Sequence, residues 1–187
     1  MIFFSVEKLV KKLQASDIDI LFSGTTCNLC LIKKDLLYVT NIGDSRSVIG
    51  FKEGRRYKAK HLSFDHKPSE KSERDRIIKN GGKIERMRDE DGNEQGPLRI
   101  WIEGEQVPGL AISRSIGDIV ARSIGVTWKP EIAIYKLCPE DRIICLATDG
   151  IWEVLENQDV SSKCLLLLVA SRRLDSPFLS FFRRLEF

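Results

Sequence analysis

The chain has 187 residues, 42% hydrophobic and 30% charged, which suits one domain with a sizeable core and excludes a disordered chain. Its 30 Lys and Arg against 27 Asp and Glu leave a net charge of +3. That excess is small and interspersed, so neither a nucleic-acid partner nor an anionic membrane is expected.

From the N-terminus, Met1 to Phe4 is apolar, but Glu7, Lys8, Lys11 and Lys12 follow it, the reverse of a secretory signal. Val6, Leu9, Val10 and Leu13 recur at helical spacing, predicting an amphipathic helix over 5–15. Four short strands are expected at 28–33, 36–41, 46–51 and 55–60. With turns at Lys34-Asp35, Gly43-Asp44 and Glu53-Gly54, their economical arrangement is an antiparallel meander. Cys27 and Cys30 form a C-x-x-C pair, but residues three apart on a strand face opposite ways and cannot easily share a metal. No further cysteine pair or nearby histidine completes a zinc set. Five cysteines without a disulfide framework predict reduced thiols and a cytoplasmic or nuclear setting.

Asp65-His66-Lys67-Pro68 is turn chemistry leading into a helix, with Pro68 in its first turn, Ile77 and Ile78 on its buried side and Gly81-Gly82 at its end. Residues 88–96 predict an exposed loop or hairpin tip, and 98–102 a strand. The segment 112–123 fits a short helix or an ordered loop. Strands follow at 131–137 and 142–148, and Asn157 is a good N-cap for a helix from Gln158. The fold class expected is α+β, dominated by antiparallel sheet. From residue 162 the character changes: Cys164 to Val169 is continuously apolar, too short to span a bilayer, and Arg172-Arg173 and Arg183-Arg184 bracket three phenylalanines. This stretch reads as an atypical tail or as an amphipathic surface binder.

Three places could carry chemistry. The apolar strand Ile143 to Ala147 delivers Asp149 at its end, where a rigidly held carboxylate suits a hard cation such as Mg²⁺ or Mn²⁺, and Glu153 lies four residues on. The plainer reading is an Asp-Gly turn. Asp44 is delivered similarly by Gly43-Asp44-Ser45-Arg46, or else caps its own hairpin turn. Ser113 to Asp118 could bind an anion, with Arg114 as the phosphate partner, or be a helix-entry loop with an ordinary exposed arginine. The two histidines, His61 and His66, lie in no nucleophile-elbow context, and there is no P-loop or dinucleotide fingerprint.

The order of these features is more specific than any one of them. Ser23-Gly24-Thr25-Thr26, Asn41 to Arg46, Asp65 to Pro68, Arg76-Ile77 with Gly81-Gly82, Pro108 to Asp118, Lys129 to Ile132 and Ala147 to Val154 follow one another at a characteristic spacing. This series resembles the PPM-type (type 2C) metal-dependent protein serine/threonine phosphatases over roughly residues 20–160. The organisation expected is a helix and lead-in at 1–19, a partial phosphatase domain at 20–160 and a divergent tail at 161–187.

The resemblance implies two packed antiparallel β-sheets flanked by helices, with two Mg²⁺ or Mn²⁺ ions at one end. It implies direct attack of a metal-activated water on phosphoserine or phosphothreonine in a phosphoprotein substrate. By carry-over Asp149 is a ligand of the binuclear centre, while Asp44 and Glu153 match a weaker third position at which the family more often has Asp for the latter. The family's N-terminal acidic ligand, phosphate-binding arginine and Asp-Gly-His-Gly stretch have no counterpart here, nor does a later Asp-Asn pair. The catalytic site is therefore expected to be incomplete in this chain. The alternatives are a non-catalytic pseudophosphatase that binds a regulatory protein, a piece with no stable fold, and a membrane-surface module built on the tail. A monomer is expected unless exposed sheet edges pair.

Overall fold

The computed structural model describes residues 2–171. In chain order these form α1 (Ile2–Gln14), β1 (Gly24–Thr25), β2 (Cys27–Lys33), β3 (Leu36–Ile42), β4 (Arg46–Glu53) and β5 (Arg56–His61). Then come α2 (Lys71–Lys79), β6 (Gly82–Arg88), β7 (Glu94–Ile102), β8 (Pro108–Leu110), β9 (Ile116–Gly117) and α3 (Ile119–Arg122). The described part ends with β10 (Glu131–Lys136), β11 (Asp141–Ala147), α4 (Asp149–Trp152) and α5 (Asn157–Ser171).

Two three-stranded antiparallel sheets, ordered β10-β3-β2 and β11-β4-β5, pack on one another. Their shared core holds Leu37, Val39, Ile49 and Leu62, with Cys30, Tyr135 and Ile144 at its margin. Alternation along β4 places Ile49 in this core and Val48 on the opposite face, against Cys145, Trp152 and Val160. A third antiparallel sheet, β6-β7-β8, has its own core with α2 and α3 around Ile77, Ile100 and Ala121. Helix α1 lays Val10 against Ile42 and Ile116. Cys27 packs in that cluster and Cys30 between the sheets, so the C-x-x-C pair is split across the two faces of β2 as expected.

Three expectations need correction. The four strands of residues 27–61 are not one meander: β2 and β3 pair in one sheet and β4 and β5 in the other. Gly43, Asp44 and Ser45 are the crossover between sheets rather than a hairpin turn, because β3 and β4 each bury a face in the shared core and so sit opposite one another. Helix α2 starts at Lys71, so Pro68 lies in the turn before it. The helix expected near Gln158 runs on through Cys164, with Leu165 buried and Leu166 and Leu167 exposed. The change of composition from residue 162 thus falls inside α5 as far as residue 171, and the tail beyond it lies outside the described residues. None of the described helices is long and apolar enough to cross a membrane.

Gly50 on β4 lies directly against Ser161 of α5. A methyl group there would overlap Ser161 Oγ and stand 2.7 Å from Ile143 Cγ2. Gly50→Ala is expected to lift α5 and cost about 1–3 kcal/mol, measurable as a lower urea midpoint with an unchanged slope.

Candidate functional site

The crossover between sheets and the end of β11 meet at one cleft of roughly 450 Å³. Its walls include Thr25, Thr26, Asp44, Ser45, Arg99, Ile112, Asp118, Thr148 and Asp149. Asp44 arrives there just past the end of β3, in the crossover to β4, and Asp149 just past the end of β11.

The crossover is held from several sides. Gly43 takes a φ of +92°, a conformation that favours glycine, and a side chain there would crowd Thr26. Its N–H donates to His66 Nδ1 at 3.1 Å, and its carbonyl accepts from His66 N at 3.0 Å and Asn41 Nδ2 at 3.0 Å. Because Nδ1 is the acceptor, the ring proton sits on Nε2, which donates to Glu131 Oε2 at 3.1 Å. Next along, Ser45 and Thr26 share a hydroxyl hydrogen bond of 2.8 Å.

The other carboxylate is braced by its neighbours. Arg46 makes a two-pronged pair with Asp65 at 2.8 and 2.7 Å, donates to Asn157 Oδ1 at 2.8 Å and lies over the Trp152 ring. The Trp152 indole N–H donates to the Ala147 carbonyl at 2.7 Å, fixing the turn that carries Asp149. Aspartates are thus presented on rigid supports from two elements.

Electrostatically the cleft gathers Asp44, Asp118 and Asp149, with Arg99 also on its wall. Burial pushes the Asp44 carboxyl above its ordinary range; the Lys67 ammonium pulls it down and the charge of Asp149 pushes it up. Lys67 Nζ lies 3.5 Å from Asp44 Oδ2 and 3.9 Å from Glu153 Oε1, so it bridges the two. A carboxyl raised in the folded state holds its proton longer than in the unfolded chain, so its ionisation costs stability as pH climbs through that window. The cost persists at neutral pH. Asp44→Asn is accordingly expected to raise the melting temperature at pH 7 in EDTA and to lose that advantage near pH 3, read by circular dichroism at both.

The residues singled out from sequence do not all meet. Asp44 and Asp149 share the cleft, whereas Glu153 lines a separate pocket with Arg46, His61 and Trp152 and meets Asp44 only through Lys67. Arg114 is committed elsewhere: its guanidinium donates to Glu73 Oε1 at 2.7 Å and to the Lys129 carbonyl at 3.0 Å. Glu73 also accepts two bonds from Arg76, at 2.8 and 2.6 Å, and one from Ser113 Oγ at 2.6 Å. Asp118 in the cleft and Lys67 beside Asp44 were missed. Asp118 has a φ of 44° and accepts from Ser115 Oγ at 2.5 Å; an aspartate after Gly117 at the head of a short helix was the only signal. Lys67 was read as turn chemistry.

The oxygen donors have the right chemistry for Mg²⁺ or Mn²⁺. Their number falls short of a two-metal centre: among the described residues no three His, Cys, Asp or Glu side chains come close enough together to hold a metal ion. The described residues alone do not fit a complete centre.

Comparison with known proteins places these features. The family model described as "Protein phosphatase 2C" matches residues 5–171. "Probable protein phosphatase 2C 12" of Oryza sativa subsp. japonica is 42% identical over 154 residues, covering 81% of this chain and 38% of that protein. "Probable protein phosphatase 2C 35" of Arabidopsis thaliana is 37% identical over 164 residues, covering 80% of this chain and 47% of its own length. The chain therefore spans less than half of either relative. Among solved structures, a serine-threonine phosphatase 2C from Toxoplasma gondii superposes with a TM-score of 0.72 at 24% identity, over 90% of this chain and 52% of that one. A sex determining protein of C. elegans superposes at 0.65 with 23% identity, over 92% of this chain and 36% of that one. These two share the fold of paired antiparallel sheets flanked by helices described above. Members of the family generally depend on Mg²⁺ or Mn²⁺. With the family model matched along most of its length, this chain belongs to the protein phosphatase 2C family.

Proposed function

We infer that this chain forms part of a protein serine/threonine phosphatase domain, removing phosphate from phosphoserine and phosphothreonine of protein substrates. The observation that carries this reading is the pairing of Asp44 and Asp149 in one cleft, at the crossover and strand end of two packed sheets. In it, Asp149 is the primary metal ligand, and Asp44 with Glu153 forms a weaker flanking position. A Mg²⁺ or Mn²⁺ ion bound there would polarise a water and offset phosphoryl charge. The chain's own contribution is to hold carboxylates on braced turns and to close one wall with Thr25, Thr26 and Thr148. Arg114, bound to Glu73, acts as a brace behind that wall rather than in it.

A second reading is favoured by the shortage of metal-binding side chains among the described residues: a binding module that keeps the family surface without the chemistry. The assay that separates them is Mn²⁺-dependent release of phosphate from a phosphothreonine peptide by the intact protein. Release supports the phosphatase reading; a folded protein that binds the peptide and releases nothing supports the module.

A further inference from the structure

We propose that Cys145 and Cys164 form an oxidisable pair: a peroxide converts their two thiols into a disulfide that ties α5 to β11.

Helix α5 crosses the second sheet strand by strand. Over β5, Gln158 accepts from Ala59 N at 3.0 Å and donates to the Tyr57 carbonyl at 3.0 Å. One turn on, Ser161 stands against Gly50 of β4. The strand order β11-β4-β5 puts β11 next, and the following turn of α5 carries Cys164. Burial agrees with this path. Val160, Ser161 and Leu165 are buried and Cys164 is partly buried, whereas Lys163 and Leu166 are exposed. On β11, alternation turns Ile144 into the core between the sheets and Cys145 towards α5. The two thiols meet in the cluster of Val48, Trp152 and Val160. The other three cysteines are placed differently: Cys27 and Cys30 lie on opposite faces of β2, and Cys138 is exposed.

The two partners differ in access. Cys164 is partly exposed and meets the oxidant first; Cys145 is buried. Burial, with the neighbouring Cys164 adding to it, pushes the Cys145 thiol up to about 12, so Cys145 is protonated at neutral pH. The Cys164 thiolate attacks one oxygen of hydrogen peroxide. The O–O bond breaks, hydroxide leaves and becomes water with the thiol proton, and Cys164 is left as a sulfenic acid. The Cys145 sulfur then attacks the Cys164 sulfur. The S–O bond breaks, the S–S bond forms, and the hydroxyl leaves with the Cys145 proton as a second water. The thiols lose two electrons and the peroxide gains them. The bond closes a loop that contains α4, so the turn presenting Asp149 is tied down on both sides.

The test treats the full chain with hydrogen peroxide, blocks the remaining thiols by alkylation and maps the digest by mass spectrometry without reductant. The expected result is a peptide pair joined through Cys145 and Cys164, released by dithiothreitol. The oxidised chain should melt about 5–10 °C above the reduced one, the shift for closing a loop of this length. Cys164→Ser should show neither the link nor the shift. Cys145→Ala should instead hold Cys164 as a sulfenic acid, trapped by a dimedone probe. Circular dichroism of the reduced proteins checks that each variant folds. Folded, peroxide-treated chain without the 145–164 link would overturn the proposal, as would a link that forms only in urea. A linked chain that melts no higher than the reduced one would overturn the tie between α5 and β11.

Discussion

Replacing Glu73 with alanine is expected to cost about 3–5 kcal/mol, the range for stranding one partner of a buried ion pair. The side chain of Glu73 is 3% exposed and serves two guanidinium groups and a hydroxyl at once. Its loss leaves Arg76 and Arg114 partly buried without a counter-charge, and frees Ser113 Oγ. Burial alone would push this carboxyl up; Arg76, Arg114 and Ser113 overcome that and hold it far below the usual range. A depressed carboxyl contributes stability that is fully present above the ordinary carboxylate range and is lost as pH falls through its folded value. For a chain of this size the expected loss corresponds to a melting temperature lower by about 10 °C. The difference between Glu73→Ala and the parent should shrink in acid. Adding Arg114→Met to Glu73→Ala should recover part of the loss, because it removes one stranded charge. The effect reaches the cleft: Arg114 O lies behind the Gly43 crossover, and Ser113 adjoins the wall residue Ile112. A Glu73→Ala protein as stable as the parent would mean that the network contributes packing only.

Replacing Asp149 with asparagine is expected to have the largest functional effect. The amide keeps the shape of the turn, which is fixed by Trp152 and the Ala147 carbonyl rather than by the Asp149 side chain. It removes the charge that, in the proposed function, draws a hard cation. Groups that merely support a metal ligand change affinity by about 10–100-fold when removed, so a direct ligand should cost at least about 100-fold. Stability in EDTA should hold or rise, since the substitution also removes the like charge that Asp44 feels. Loss of ion binding without loss of fold is the signature sought.

The sequence pattern located most elements, because alternation and turn residues are local. β10 and β11 appear within a residue or so of their expected bounds, and so does the split of Cys27 from Cys30. The partition of β2 to β5 into two sheets was not legible. It depends on which faces bury which others, a long-range matter that a turn such as Gly43-Asp44 does not encode. The same limit hid the fate of Arg114. Its sequence context reads as anion binding, but only the fold brings Glu73, forty-one residues away, against it. Lys67 was hidden for a like reason: in sequence it is turn chemistry, and only the His66–Gly43 contact shows that the turn sits beside Asp44. What sequence did supply was the ordered series of short blocks, whose sum identifies the family while each block alone is ambiguous.

The central claim, that Asp149 anchors a divalent ion in a cleft shared with Asp44, is tested most directly by calorimetric titration of Mn²⁺ into the intact protein and its Asp149→Asn variant. Saturable binding by the parent that falls at least about 100-fold in a variant with unchanged circular dichroism is the predicted result. Equal binding by the two proteins would contradict the claim.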